Sequence, residues 1–147
     1  MSSLVWLIPL FPLLGAVINA LGGNAIGHKA HWIANTALAL SFVVSCMVFW
    51  RVLHGETWSG ELFSWIEAGP FNVAVGAQVD QLTAVMLLVV TGVGFLIHVY
   101  SIGYMHEDDG YARFFTYMNL FVFSMVMLVL ADNFLLLYLG WEAVGLC

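Results

Sequence analysis

Long apolar runs with very few charged residues constrain this sequence more than any other feature. A bilayer's hydrocarbon core is about 30 Å thick, and an α-helix needs about 20 residues to cross it. Only 8% of the residues are charged and 63% are hydrophobic, whereas soluble domains carry about 25% charged residues. The chain is therefore predicted to be an all-α integral membrane protein with several transmembrane helices.

Polar breaks divide the chain into five helical segments and one longer polar stretch. The last segment, residues 134–147, is shorter than the roughly 20 residues that spanning requires. It is therefore predicted to be a truncated fifth helix, so that residues 1–147 form the N-terminal portion of a longer membrane domain, incomplete at the C-terminus. The predicted helices cover about residues 4–21, 32–53, 81–104, 114–131 and 134–147.

The polar stretch from residue 55 to residue 80 differs in kind, since it contains four acidic residues and no basic one. Two short β-prone runs, residues 61–66 and 71–75, flank a predicted turn at residues 67–70. The sequence predicts a β-hairpin over about residues 61–75, outside the membrane. Alternating residues of the second run share one face and require an apolar cover: Phe71, Val73 and Val75.

One carboxylate interrupts the fifth segment. Asp132 and Asn133 are predicted to form a turn, and Glu142 lies nine residues beyond Asn133, roughly 13 Å along a helix. This depth is near the middle of the hydrocarbon core, where a charge costs between ~3 and over 10 kcal/mol. Glu142 is therefore a candidate proton-relay or ion-pair carboxylate that faces an interior or a water-filled cavity. A glutamate that reaches back to the interface is the alternative.

The third segment carries Thr91, His98 and Ser101 at offsets of seven and three, which places them on one helical face. His98 is a candidate link in a proton path, and a structural hydrogen bond to a neighbouring helix is the alternative. Gly92 and Gly94 do not form a dinucleotide fingerprint, because the third glycine and the preceding strand are missing. They favour close helix packing instead.

Composition argues against several classes of function. The formal net charge of −6 comes without a basic patch, which argues against nucleic-acid binding. Cys46 and Cys147 lie in different apolar stretches without a CxxC motif, and they cannot supply the four ligands of an iron–sulfur cluster. The histidines at the ends of the segments lack a third ligand at suitable spacing. We therefore expect this chain to bind no metal and no cofactor itself.

The basic residues give the predicted orientation. Lys29 and Arg113 fall on one side of the membrane, and Arg51 falls on the other together with the hairpin. Because cytoplasmic loops carry the excess of Lys and Arg, this count favours an N-terminus and a hairpin on the outer side.

Several stretches match a known family. They are residues 80–83 (DQLT), 91–101 (TGVGFLIHVYS), 110–115 (GYARFF), 117–121 (YMNLF) and 131–147 (ADNFLLLYLGWEAVGLC). On these residues the chain resembles the subunit L family of bacterial NADH–quinone oxidoreductase, the respiratory complex I. The resemblance is dense from Asp80 onward, and before it mainly the spacing of the spans and the hairpin agrees. Ala143 stands where the family commonly has glycine.

The resemblance implies a proton-translocating membrane-arm subunit, related to cation/proton antiporters, in the bacterial inner membrane. The Trp141-Glu142 match implies a glutamate on the fifth helix that is paired with a lysine on a later helix. NADH, FMN, iron–sulfur clusters and quinone are implied on other subunits of the enzyme. The implied partners are the other membrane-arm subunits and the lipid bilayer.

Two alternatives remain open. One is the large subunit of a multisubunit sodium/proton antiporter, although residues 141–147 look closer to the respiratory branch. The other is a non-transporting membrane scaffold subunit. Gene neighbours distinguish the first alternative, and a buried Glu–Lys pair in the full chain counts against the second.

Overall fold

The computed structural model describes residues 2–69 and 71–147. Within these residues it contains five α-helices and one two-stranded antiparallel sheet. The helices α1 to α4 are each long and apolar enough to cross a membrane, and α5 is shorter. The predicted fold class, an all-α membrane protein with one β-hairpin, is confirmed. The elements are α1 (Ser2–Ile26), α2 (Ala30–Leu53), β1 (Trp58–Ala68), β2 (Phe71–Val79), α3 (Gln81–Tyr104), α4 (Tyr111–Leu130) and α5 (Phe134–Leu146).

The element boundaries differ from the sequence-based ones where apolarity is a poor guide to backbone conformation. The backbone is non-helical at Gly23, with a φ of 29°, which is where the sequence predicts the first span to be interrupted, and a short helical segment then continues to Ile26. Strands β1 and β2 extend beyond residues 61–75, since strand pairing continues as far as Trp58 opposite Val79. Pro70, in the expected turn, and the side chain of Phe71 lie outside the described part of the structure.

The interior of the bundle is mostly apolar, and one of its polar contacts supplies a hydrogen-bond donor to a carbonyl that a proline leaves without one. Pro12 has no N–H, so the carbonyl of Ile8 lacks its usual helical donor. The Ser41 hydroxyl on α2 donates to this carbonyl at 2.7 Å, which ties α2 to α1. Helix α1 packs against α2 and α4, α3 packs against α2 and α4, and α5 packs against α4.

The hairpin is joined to the turn between α4 and α5. Ala77 of β2 forms a bridge with Ala131, and the Asn133 side chain donates to the Ala74 carbonyl at 2.8 Å. Val73 is buried, whereas Val75 is only half-buried, and Ala74 between them is buried as well, so burial does not follow the expected alternation. The hairpin therefore lies at the end of the bundle where α5 begins.

Candidate functional site

Among the residues whose burial the structure describes, eight polar ones are buried inside the bundle, and most of the hydroxyl groups among them bond to their own helix. Thr91 donates to the Leu87 carbonyl at 2.6 Å, and Ser101 donates to the Ile97 carbonyl at 2.8 Å. These bonds satisfy the hydroxyls without a partner from another helix. The eight residues are Asn19, Ser41, Ser45, Thr91, His98, Ser101, Asn119 and Ser124.

His98 differs from these hydroxyls because it joins two helices. Its side chain is fully buried, as are those of Thr91 and Ser101, with which the sequence predicts a shared helical face. The Nδ1 atom lies 2.8 Å from the Gly94 carbonyl oxygen on α3. The Nε2 atom lies 3.0 Å from the Asn119 Oδ1 atom on α4. The histidine is thus held at both ring nitrogens.

Asn119 was not identified from the sequence, although an amide in the middle of an apolar helix is a signal of the same kind as His98. The residue is fully buried, and its Nδ2 atom has no hydrogen-bond partner within the described chain. That nitrogen lies against Gly15 of α1, where an added Cβ would overlap it. The missing side chain of Gly15 therefore makes room for the Asn119 amide.

A cleft of about 550 Å³ lies between α1 and α4 near the loop that joins α3 and α4. Asp109 and Arg113 line its mouth, and Asn19 and Thr116 line it further into the bundle. Asn19 is 1% exposed and donates to the Ala30 carbonyl at 3.2 Å. Its Oδ1 atom has no partner among the described residues. An unpartnered buried acceptor beside a polar cleft is a typical position for an internal water.

Glu142 lies in a different environment from His98. Helix α5 begins after Asn133, whose side chain accepts a hydrogen bond from the Leu136 backbone N–H at 2.9 Å. Gly140 faces α4 so closely that an added Cβ would lie 3.0 Å from the Leu128 Cα atom. Two residues further along, Glu142 projects from the side of α5 away from α4 and is exposed.

Neither an ion pair nor a metal site is formed around Glu142 by residues 2–69 and 71–147. Within these ranges the one salt bridge joins Arg51 to Glu56 at 3.8 Å, on the hairpin side of the bundle. The same ranges contain no group of three or more His, Cys, Asp or Glu side chains that could hold a metal ion. Tyr138, one turn before Glu142 on α5, hydrogen-bonds the carboxylate through its hydroxyl, and no basic side chain among the described residues forms an ion pair with it.

Fold and site together define a multi-pass α-helical membrane protein with a buried histidine inside its bundle and an exposed glutamate on an outer helix. A family model described as NADH-Ubiquinone oxidoreductase (complex I), chain 5 N-terminus, matches residues 65–115. The matched range includes α3 and the first residues of α4, and therefore includes His98.

Curated relatives match along nearly the whole chain. NADH-quinone oxidoreductase subunit L of Neisseria meningitidis is 45% identical over 98% of this chain and 22% of its own length. The Mycobacterium tuberculosis protein of the same name is 43% identical over 96% of this chain and 23% of its own length. That of Escherichia coli K12 is 58% identical over 63% of this chain and 15% of its own length.

The chain belongs to the family of NADH-quinone oxidoreductase subunit L, as the sequence motifs indicate. It spans about a fifth of the length of the Neisseria relative, 22%.

Proposed function

We propose that the full-length protein translocates protons as a membrane-arm subunit of NADH–quinone oxidoreductase and couples quinone reduction to pumping. The observation that carries this proposal is similarity over nearly the entire chain to proteins named NADH-quinone oxidoreductase subunit L. The four long apolar helices support the membrane location. In this proposal, residues 1–147 are the N-terminal portion of an antiporter-like membrane domain.

Glu142 is the proposed proton-relay carboxylate. A carboxylate that is removed from water holds its proton more tightly, and a nearby ammonium group weakens that hold. A lysine from the remainder of the full-length protein would therefore change the proton affinity of Glu142 as it approaches or withdraws. The outward direction of Glu142 on α5 supports such a partner, because the side chain is accessible to a helix that packs against this face.

His98 is the proposed interior link of a proton path. Its bond to Asn119 connects α3 to α4, and we propose that water approaches this part of the bundle from the cleft lined by Asn19 and Thr116. Hydroxyls that bond within their own helices, such as that of Thr91, have a packing role in this scheme.

The redox chemistry of the enzyme belongs to other subunits in this proposal. NADH, FMN, iron–sulfur clusters and quinone would be bound there, while this chain contributes helices to the proton-conducting arm. Its partners would be the neighbouring membrane-arm subunits and lipid. The exposed apolar residues of β1, among them Leu62, Phe63 and Trp65, support contact with a neighbouring subunit, since soluble surfaces rarely expose such a group.

Deleting the gene for the full-length subunit tests this function. Inverted membrane vesicles from the deletion strain should lose most NADH-driven acidification, and a plasmid copy should restore it. ATP-driven acidification of the same vesicles serves as the control for membrane integrity. Normal NADH-driven acidification in the deletion strain, together with lost exchange of sodium for protons, would instead favour a sodium/proton antiporter.

The proposed orientation in the bacterial inner membrane places the N-terminus and the hairpin in the periplasm. Lys29 and Arg113 then lie on the cytoplasmic side, where basic residues accumulate. Single cysteines at Ser59 and Asp109, in a background without the native cysteines, should react differently with an impermeant thiol reagent on whole cells. Labelling at position 59 and not at 109 is expected, and the reverse pattern would contradict the orientation.

A further inference from the structure

The two hydrogen-bond partners of the His98 ring determine which of its nitrogens can carry a proton. Both ring nitrogens face oxygen atoms: Nδ1 faces the Gly94 carbonyl at 2.8 Å, and Nε2 faces Asn119 Oδ1 at 3.0 Å. A backbone carbonyl only accepts hydrogen bonds, so Nδ1 must carry a proton. A neutral imidazole has one N–H, and its second nitrogen is an acceptor. With Nδ1 protonated, a neutral His98 would place two acceptors against each other at Nε2.

Two arrangements remove this conflict. In the first, His98 is an imidazolium, and Nε2–H donates to Asn119 Oδ1. In the second, His98 is neutral and the Asn119 amide is turned by about 180°, so that Nδ2–H donates to Nε2. The two amide orientations have nearly the same shape, and therefore the buried site accommodates both.

The surroundings of Asn119 allow this rotation. Its second amide atom lies against Gly15 and has no hydrogen-bond partner among the described residues. Turning the amide thus breaks no bond on the Gly15 side. It only changes the atom that faces α1, from an N–H donor to an oxygen acceptor.

We propose that Asn119 is a positioning residue for His98 whose side-chain amide reverses its direction when His98 gains or loses a proton. This inference deepens the proposed role of His98 and rests on that proposal only for its consequence in proton transfer. Each change in the protonation of His98 would then exchange the amide atom that faces Gly15 of α1. That atom would be the N–H donor in one state and the oxygen acceptor in the other.

The titratable groups on the neighbouring helices do not replace Asn119 in this arrangement. His31 of α2 and Tyr111 of α4 contact Phe115, with ring centroids at 6.5 and 4.9 Å, and Phe115 lies 6.1 Å from the His98 ring. Arg113 and Asp109 lie at the mouth of the cleft. Helix α1 contains no titratable side chain, and Asp80 lies at the far end of α3, before its first turn.

The test is a measurement of the His98 ring on the full-length subunit in lipid vesicles, with ¹⁵N-labelled histidine. Subtracting the spectrum of a His98→Gln variant isolates the two His98 nitrogen signals. From about pH 5 to about pH 9, the wild type should change from an imidazolium to a neutral form that keeps its proton on Nδ1. The Nε2 signal of the neutral form should show that this nitrogen accepts a hydrogen bond.

Two variants at position 119 separate positioning from packing. Asn119→Asp offers only an acceptor when ionised, so the midpoint of the His98 change should rise by about one pH unit or more. Asn119→Leu has a similar size but no polar group, and the hydrogen-bond signature at Nε2 should disappear. Identical midpoints in all three proteins would overturn the proposal.

The wild-type spectra decide the question even where a variant does not assemble. A single His98 form over the whole pH range, or a neutral form with its proton on Nε2, contradicts the inference. These measurements do not depend on pumping. A His98→Ala protein that pumps normally would contradict the proposed proton path and leave the spectroscopic result unaffected.

Discussion

His98 and Glu142 are both ionisable residues on apolar helices, and the structure gives them opposite surroundings. His98 is fully buried, with one ring nitrogen bonded to its own helix and the other to α4. Glu142 is exposed on α5, opposite the side on which Gly140 packs against Leu128. Helices α1 to α4 therefore enclose His98, whereas they leave the Glu142 side chain exposed.

His98 therefore depends on contacts within the bundle, whereas Glu142 depends on the remainder of the full-length protein. The surroundings of His98 are set within the bundle, by its burial and by its hydrogen bonds to the Gly94 carbonyl and to Asn119. The proposed relay role of Glu142 depends on what covers α5 in the full-length protein, because an isolated charge in the hydrocarbon core is costly. Substitutions at Glu142 should therefore affect pumping more strongly than substitutions at His98.

The largest expected effect is that of Glu142→Gln in the full-length protein. Glutamine keeps the shape and much of the hydrogen bonding of glutamate but cannot exchange a proton. We expect nearly complete loss of pumping, and a partial loss for Glu142→Asp, whose carboxylate is one methylene shorter. The measurement is NADH-driven acidification of inverted vesicles, normalised to subunit content.

A matched control for this experiment is Glu61→Gln, which makes the same change on the exposed hairpin. It should leave acidification unchanged. Pumping at the wild-type rate in the Glu142→Gln protein would mean that Glu142 has a structural role, and the contrast with His98 would be lost.

His98→Ala should have a smaller effect, a partial loss of pumping with the complex still assembled. The variant removes the bond to Asn119 and one site that can hold a proton, while water in the enlarged cavity can replace part of the path. Initial acidification rates and subunit content in the membrane are the two measurements.

Ser45→Ala is the control for His98→Ala, since Ser45 is also buried but donates only to the Ser41 carbonyl of its own helix. It should pump normally. Equal pumping in His98→Ala and wild type would reduce His98 to a packing residue.

The sequence predicts the helices because apolar length is a local property, and the depth of Glu142 in the membrane stays a prediction from residue spacing. It does not predict which side of α5 carries Glu142 outward, since that helix is apolar on nearly every face. The position of Gly140 against Leu128 decides this direction, and it depends on how α5 approaches α4.

The pairing of His98 with Asn119 is also hidden from the sequence. The two residues are 21 positions apart on different helices, and helical periodicity does not fix how those helices are rotated relative to each other. Helices α2, α3 and α4 meet beside Gly94, where an added Cβ would make ordinary contacts with Leu38 and Val122 at 3.6 Å. By contrast, repair of the Pro12 defect is expected in general, but the choice of Ser41 as donor is a property of the packing.

The smallest expected effect concerns Asp80, which caps the helix that carries His98 and allows the stability of α3 to be separated from the protonation of His98. The Thr83 backbone N–H donates to Asp80 Oδ1 at 2.7 Å, and this bond holds the pKa of the Asp80 carboxyl below its ordinary value. Because the folded-state pKa is lowered, the ionised cap stabilises α3 above the ordinary pKa. This stabilisation is lost as the pH falls below about 4 and through the lowered folded-state pKa.

Asp80→Ala should cost about 1 kcal/mol, or about fivefold in the hydrogen-exchange protection of the first turn of α3 at neutral pH. Asp80→Asn is the control, since asparagine caps a helix about as well but does not ionise. Protection in wild type relative to Asp80→Asn should decrease on acidification, while the His98 midpoint stays the same in all three proteins. A shift of that midpoint on removal of the cap would mean that His98 responds to the stability of α3 as a whole, and the contrast between a locally determined His98 and an externally determined Glu142 would fail.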